Sequence, residues 1–429
     1  MSPDLTQYPR AISTSKPAMR HTLKLAAAAL FSCGVAHGDE NSPAASAPLG
    51  LYVRGGVLMR EGRPYRGIGA NYFSLFARVL KSPDDDSSLK NLAALGAAGV
   101  PFVRFMCGGF WPVEMRLYQE DPAEYFRRLD KVVVAARDAK VGLIPSLFWN
   151  PSTVADLCGE PLDQYANPNS RSIAFIRQYT TAVVKRYKNS PAIWAWEFGN
   201  EYNLGADLPN AAEHRPAVWP QLGTAAERSA RDELKWPHIE MALRAFAETA
   251  RRHDPDRVIA SGNSIPRQSA WHNVREQSWR DDNEEQFREI LSRDNPAPLD
   301  VLCVHIYPES NKHYPAGTTS IDGVIGAAQA QAKRLGKPLF IGEFGAARQT
   351  GGRAAQQAVF EEFLQAVWNH QVPLAAFWVF DLSSQDGDWN VSFGNDRAWM
   401  IELVAKANKR AATRPDDIPR TPDSKTTTW

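Results

Sequence analysis

"AIWAWEFGNEYNL", residues 192–204, decides the fold. Ile193, Trp194, Ala195 and Trp196 read as buried strand, and then Glu197, Gly199, Asn200 and Glu201 follow with charge and amide. Burying a carboxylate is costly unless it is paired or used. An apolar strand that ends in acids fits an α/β protein whose strand ends open onto a working surface.

The same pattern recurs along the chain. An apolar, β-branched run is followed by a loop and then by a helical period. The expected strands are 65–70, 100–106, 141–148, 192–198, 258–261, 301–306, 339–343 and 374–380. Between them lie helical patterns. Asp121-Pro122 is an N-cap followed by proline at the first helical position. Ile173, Ile176, Tyr179 and Val183 share one helix face. Eight continuous apolar strands alternating with helices predict parallel strands buried on both faces and a closed (β/α)8 TIM barrel. The competing open doubly wound sheet usually carries a glycine-rich phosphate loop, and neither GxGxxG nor GxxxxGK[ST] occurs. Before the first barrel strand, "LYVRGGVLMREGRPYRGIGANYF" (51–73) reads as an N-terminal hairpin leading into that strand. A Pro-rich insertion, 203–223, follows strand four.

Bulk properties narrow the function. The 429 residues are 44% hydrophobic and 23% charged, with net charge +1. That balance offers neither nucleic acid nor an anionic membrane surface a partner. The 13 Trp suit ligands with apolar C–H faces such as sugar rings, although most Trp belong to cores. Residues 19–38 read as a signal peptide, with Arg20 and Lys24 before the apolar Leu25–Val35 and Ala36-His37-Gly38 as the cleavage site. Residues 1–18 then read as a start-site artefact, 39–48 as linker, 49–410 as one catalytic domain and 411–429 as a polar, disordered tail. The expected location is secreted or periplasmic. A lipoprotein anchored through Cys33 is the alternative, which Phe31 fits poorly. No segment is long enough to span a membrane. Of the remaining cysteines, Cys303 reads as a buried thiol, and Cys107 and Cys158 either pair or stay free. No Cys/His spacing resembles a zinc site.

Polar residues gather at the strand ends. Arg104 closes strand two, Asn200 and Glu201 strand four, His305 and Tyr307 strand six, and Glu343 strand seven, while Trp378 lies on strand eight. Strands four and seven lie across the barrel mouth from each other. Two facing carboxylates are what glycosidic bond cleavage needs: one protonated to assist the leaving oxygen, the other ionised to attack or to activate water.

The ordered set "YRGIGANY", "FVRFM", "WEFGNE", "VHIYP", "FIGEFG" and "FWVFDL" resembles the clan A retaining glycoside hydrolases, most closely glycoside hydrolase family 5, the cellulase and mannanase family. The resemblance runs from residue 51 to about 405. It implies Glu201 as acid/base, Glu343 as nucleophile, and Asn200 as the partner of the sugar 2-hydroxyl. It further implies that Arg104 holds Glu343 ionised, that Tyr307 donates to Glu343, and that His305 orients the acid or a hydroxyl. Trp378 is the implied stacking platform, with Trp111 and Trp149 as further substrate contacts. Two departures leave the subfamily open: Tyr202 follows the acid where proline is common, and strand three ends Phe148-Trp149-Asn150 where histidine is frequent.

The expectation is a monomeric, exported, retaining hydrolase of β-glucan or β-mannan that uses no metal and no cofactor. Alternatives are an exo-acting β-glycosidase or transglycosylase, suggested by the insertion, and a non-catalytic carbohydrate-binding barrel.

Overall fold

The computed structural model of the chain describes residues 47–313, 319–348 and 351–413. The expected leader (1–38), most of the linker and the tail beyond Thr413 lie outside the described residues.

Three antiparallel strands come first: β1 (Leu51–Arg54), β2 (Val57–Arg60) and β3 (Arg63–Pro64). Eight parallel strands follow: β4 (Gly67–Asn71), β5 (Phe102–Met106), β6 (Gly142–Phe148), β7 (Ala195–Gly199), β8 (Val258–Ala260), β9 (Leu302–Ile306), β10 (Leu339–Phe344) and β11 (Leu374–Phe377). Their spatial order is β8-β7-β6-β5-β4-β11-β10-β9. Backbone bonds cross the remaining seam, from Asp300 N–H to Ile259 O (3.0 Å) and from Ile265 N–H to His305 O (3.3 Å). The sheet is a (β/α)8 barrel. Every residue of the eight strands is buried, which is why each reads as a nearly continuous apolar run.

Helices cover the outside: α1 (Leu75–Lys81), α2 (Ser87–Ala98), α3 (Arg116–Glu120), α4 (Pro122–Asp138), α5 (Thr153–Leu157), α6 (Arg171–Tyr187), α7 (Trp236–His253), α8 (Ala270–Glu276), α9 (Glu284–Arg293), α10 (Ile321–Arg334), α11 (Gly352–Asn369) and α12 (Trp399–Thr413). Caps set their starts. The Asp121 carboxylate accepts from Glu124 N–H ahead of α4, and Ser170 Oγ accepts from Ile173 N–H ahead of α6. The predicted α6 face, Ile173, Ile176, Tyr179 and Val183, is buried against the barrel.

The hairpin lies under the barrel. Leu51 N–H bonds Trp194 O (2.8 Å) at the entry to β7, and Leu51 and Leu58 pack with Phe102, Ile144, Trp194 and Phe340. These residues fill the lower barrel and close its floor. Above the floor the mouth is shaped by loops. The expected insertion proves longer, a run of 3₁₀ turns from Tyr202 to Asp232. Arg228 clamps it to Asp156 of α5 through two bonds, at 2.6 and 2.7 Å. Strand eight ends at Phe377 rather than at 380, so Trp378 begins the loop. Helix α10 starts at Ile321, where Ser320 Oγ accepts from Gly323 N–H.

Candidate active site

Local backbone features aim the polar strand ends inward. The register of β10 against β9 shifts between Ile341 and Glu343. Such a bulge re-aims the side chain that follows it. Gly342 sits there because a Cβ would stand 2.7 Å from His305 Nε2. Glu201 leaves β7 with φ +52°, a left-handed conformation that costs a non-glycine residue roughly 1–2 kcal/mol. The bond from Glu201 N–H to Gly262 O (2.8 Å) holds it there. Gly262 passes so close that a Cβ would fall 1.9 Å from Gly199 O.

The result is a cluster at the mouth. His305 Nδ1 lies 2.9 Å from Glu201 Oε1 and 3.6 Å from Glu343 Oε1. One ligand atom from each of Glu201, His305 and Glu343 lies within 4.8 Å of the others. The two acids therefore face each other from β7 and β10 across less than a sugar's width.

Arg104 is the fixed cation beneath them. Its Nε donates to Glu197 Oε1 (2.7 Å), and its Nη1 to Glu343 Oε1 (2.8 Å) and Asn71 Oδ1 (3.0 Å). Its Nη2 donates to Asn200 Oδ1 (2.8 Å). The Trp149 ring covers the guanidinium, with its centroid 4.5 Å away. Glu197 is fully buried as a partner of Arg104, which explains a carboxylate inside the apolar strand. Because Asn200 gives its carbonyl oxygen to Arg104, its NH₂ is oriented to donate elsewhere.

The two carboxyls differ. Glu343 is 5% exposed and accepts from Arg104 and from the Tyr307 hydroxyl (2.6 Å). Glu201 is 28% exposed, and its Oε1 meets His305. Burial raises the pKa of both above the ordinary carboxylate value. At Glu343 the rise is opposed by His305, Arg104 and the Tyr307 bond, and increased by the Glu201 charge. At Glu201 it is opposed by the Ser264 hydroxyl and, at longer range, by Arg104 and Arg267. When the pair holds one proton, the donors at Glu343 favour placing it on Glu201. Burial lowers His305 to about 3, so its imidazole is neutral. Burial and the two carboxylates push Tyr307 well above its usual value, keeping it a proton donor.

Among the described residues, Glu201, His305 and Glu343 form the one group with metal-ligand chemistry. The Arg104 guanidinium already neutralises charge at Glu343, so the cluster is arranged for protons more than for a cation. Cys107, Cys158 and Cys303 are free thiols.

The structure brings Glu201, Glu343, Asn200, Arg104, His305 and Tyr307 into one cluster, with Trp149 over Arg104. Trp378 is half-buried, 6.2 Å from the Phe73 ring and 6.1 Å from Trp149. Trp111 is a half-buried rim residue edge-on to Phe110 (5.0 Å). Trp149 departs from the expectation of an open stacking face: it is 5% exposed, wedged between Arg104, Phe73 and Trp378, and supports the cation from above. Sequence reasoning gave no role to Asn71, whose Nδ2 donates to Gly342 O (2.8 Å) and whose Oδ1 accepts from Arg104. The available signal was a polar residue closing the apolar run of β4.

An eight-stranded barrel with two opposed carboxylates and a buried arginine at its mouth defines a glycoside-hydrolase type of site. Residues 83–381 match the family model described as cellulase (glycosyl hydrolase family 5), and the chain belongs to that family. It is similar to mannan endo-1,4-beta-mannosidase 7 of Oryza sativa subsp. japonica, 29% identical over 179 residues, 36% of this chain and 45% of that protein. The chain thus aligns with less than half the length of that curated relative. Its fold is similar to that of the endo-1,4-beta-mannanase from Rhizomucor miehei, with TM-score 0.60 and 20% identity over 84% of this chain and 99% of that one. The family 5 mannosidase of the same organism gives TM-score 0.57 and 13% identity, covering 86% and 99%.

Proposed function

We propose that this chain is a retaining β-glycosidase acting on β-1,4-linked mannan. Glu343 attacks the anomeric carbon while Glu201 delivers its proton to the departing glycosidic oxygen. The sugar is left esterified to Glu343. Glu201, now ionised, takes a proton from water, and that water displaces Glu343 with a second inversion. Arg104 and Tyr307 hold Glu343 ionised for attack. His305 aligns Glu201, and the Asn200 NH₂ meets the sugar 2-hydroxyl. Trp378 lies under the ring, and Trp111 extends the cleft.

The observation that carries this reading is that one oxygen of each carboxylate lies within 4.8 Å of the other, which favours the shorter of the two known spacings. Retaining enzymes hold theirs about 5–5.5 Å apart, and inverting enzymes about 6.5–9.5 Å, to leave room for water. The mannan assignment is supported by the names of the rice relative and of the Rhizomucor structures. β-Glucan is the alternative polymer. The test is a panel of soluble mannan, glucan and xylan, read as reducing ends. Release from mannan above all others supports the proposal, and binding of mannan with no turnover of any polymer would replace it with the carbohydrate-binding alternative.

The clamped excursion from Tyr202 to Asp232, beside the Glu201 strand, favours exo action or transglycosylation as the second reading. Faster turnover of a short aryl β-mannoside than of the polymer would select it. We also propose export through the 19–38 leader, as a monomer; N-terminal sequencing of the mature protein should begin at Asp39, and its sedimentation should fit one chain.

A further inference from the structure

The loop after β11 is built more firmly than an ordinary surface turn. The Asp381 carboxylate accepts from Tyr72 Oη (2.6 Å), Asn91 Nδ2 (2.8 Å) and Arg78, tying the loop to α1 and α2. Buried Arg397 donates to Asp386 O (2.7 Å) and to Asn390 O. Gln385 is the centre of this loop. Its backbone carbonyl accepts from the N–H groups of Asp388 (3.1 Å), Trp389 (2.9 Å) and Asn390 (2.9 Å). Its side-chain Oε1 accepts from Trp378 Nε1 (2.8 Å).

One residue therefore holds the Trp378 indole through its side chain and the Trp389 backbone through its carbonyl. Trp378 leans toward Phe73 and Trp149, on the β4 and β6 side of the mouth. Trp389 leans the other way, edge-on to Tyr307 with centroids 5.1 Å apart. It passes Gly345, where a Cβ would stand 3.3 Å from the Trp389 ring. Gly345 is two residues beyond Glu343, and Tyr307 donates to Glu343. Trp389 is half-buried, so it is seated on one edge without being absorbed into the core.

We propose that Trp389 is a second sugar-stacking ring, and that Gln385 is the positioning residue that fixes Trp378 and Trp389 as a pair. The inference rests on the glycosidase reading and deepens it: one loop grips two neighbouring sugar units, one on either side of Glu343. The preferred substrate is then an oligomer, and a single glycoside with a small aryl leaving group uses only half of the grip.

The experiment compares kcat/KM for a β-1,4-linked manno-hexasaccharide with that for an aryl β-mannoside. In Trp389→Ala the ratio of the two should fall roughly tenfold, the scale of one good aromatic contact, with the change in the hexasaccharide KM. Trp389→Phe should recover most of it. Gln385→Ala removes the side-chain bond to Trp378 Nε1 and keeps the backbone carbonyl, so it should raise KM for both substrates through Trp378. If the alanine variant at 389 does not fold, Trp389→Leu, which keeps the apolar volume, takes its place. A ratio that stays at the wild-type value in Trp389→Ala, or in Trp389→Leu where that variant takes its place, overturns the proposal. A wild-type protein that cleaves neither substrate overturns the glycosidase reading itself, and this inference with it.

Discussion

The floor and the mouth of the barrel are made from the same eight strands and have opposite chemistry. At the floor, Leu51, Leu58, Phe102, Ile144, Trp194 and Phe340 pack without an ionisable side chain among them. At the mouth, Arg104, Glu197, His305 and Glu343 are buried together. The floor gains its stability mainly from apolar burial. The mouth pays a desolvation cost, offset only where every charge meets a partner. The lesson is a division of labour along each strand: its first half holds the fold together, and its last residues hold reacting groups that would be unstable anywhere else.

That contrast can be broken from either end. The largest expected effect is at the mouth: Glu343→Ala should lower kcat by about 10⁴-fold or more, the scale of removing a group that acts as a unit with its partners. Circular dichroism should show the fold unchanged, and an equal loss on replacing Glu361, on the outer helix α11, would refute the assignment. Next comes Arg104→Met. It leaves Glu197 and Glu343 buried without their cation, and should cost about 3–5 kcal/mol in denaturant unfolding as well as most activity. A variant as stable as the parent would show that the mouth is not held by this cation.

At the floor, Leu58→Ala should cost about 2–5 kcal/mol, with kcat/KM at the parent value below the melting transition. A kinetic change would mean that floor and mouth are coupled. The smallest effect sharpens the account of Glu343. The proposed mechanism needs Glu343 ionised and Glu201 protonated, so kcat/KM against pH should be bell-shaped. Both carboxyls are raised by burial, which places both limbs above the ordinary carboxylate range. Tyr307→Phe removes a bond to ionised Glu343, and the acid limb should move to higher pH. An acid limb that moves to lower pH, or stays, would mean that Tyr307 does not stabilise that charge.

The contrast also explains what could be read in advance. Strands were legible because burial on both faces leaves a nearly continuous apolar run, and the acids at 201 and 343 stood out as charge ending such runs. The resemblance to family 5 supplied their expected roles. The Gly342 bulge was not legible, because a glycine between isoleucine and glutamate carries no mark of register. Trp149 reads like any rim aromatic until the cation beneath it is placed. Asn71, more than thirty positions before Arg104 in the chain, gains its meaning only when β4 and β5 pair Asn71 with Arg104. Trp389 has no strand pattern around it, and its place depends on Gln385.

The central claim is that Glu201 and Glu343 stand at the spacing of a retaining pair, close enough for Glu343 to attack the sugar directly. Proton NMR of the first product released from a β-manno-oligosaccharide tests it. The account predicts that the new reducing end appears as the β-anomer and mutarotates afterwards; the α-anomer appearing first would contradict it.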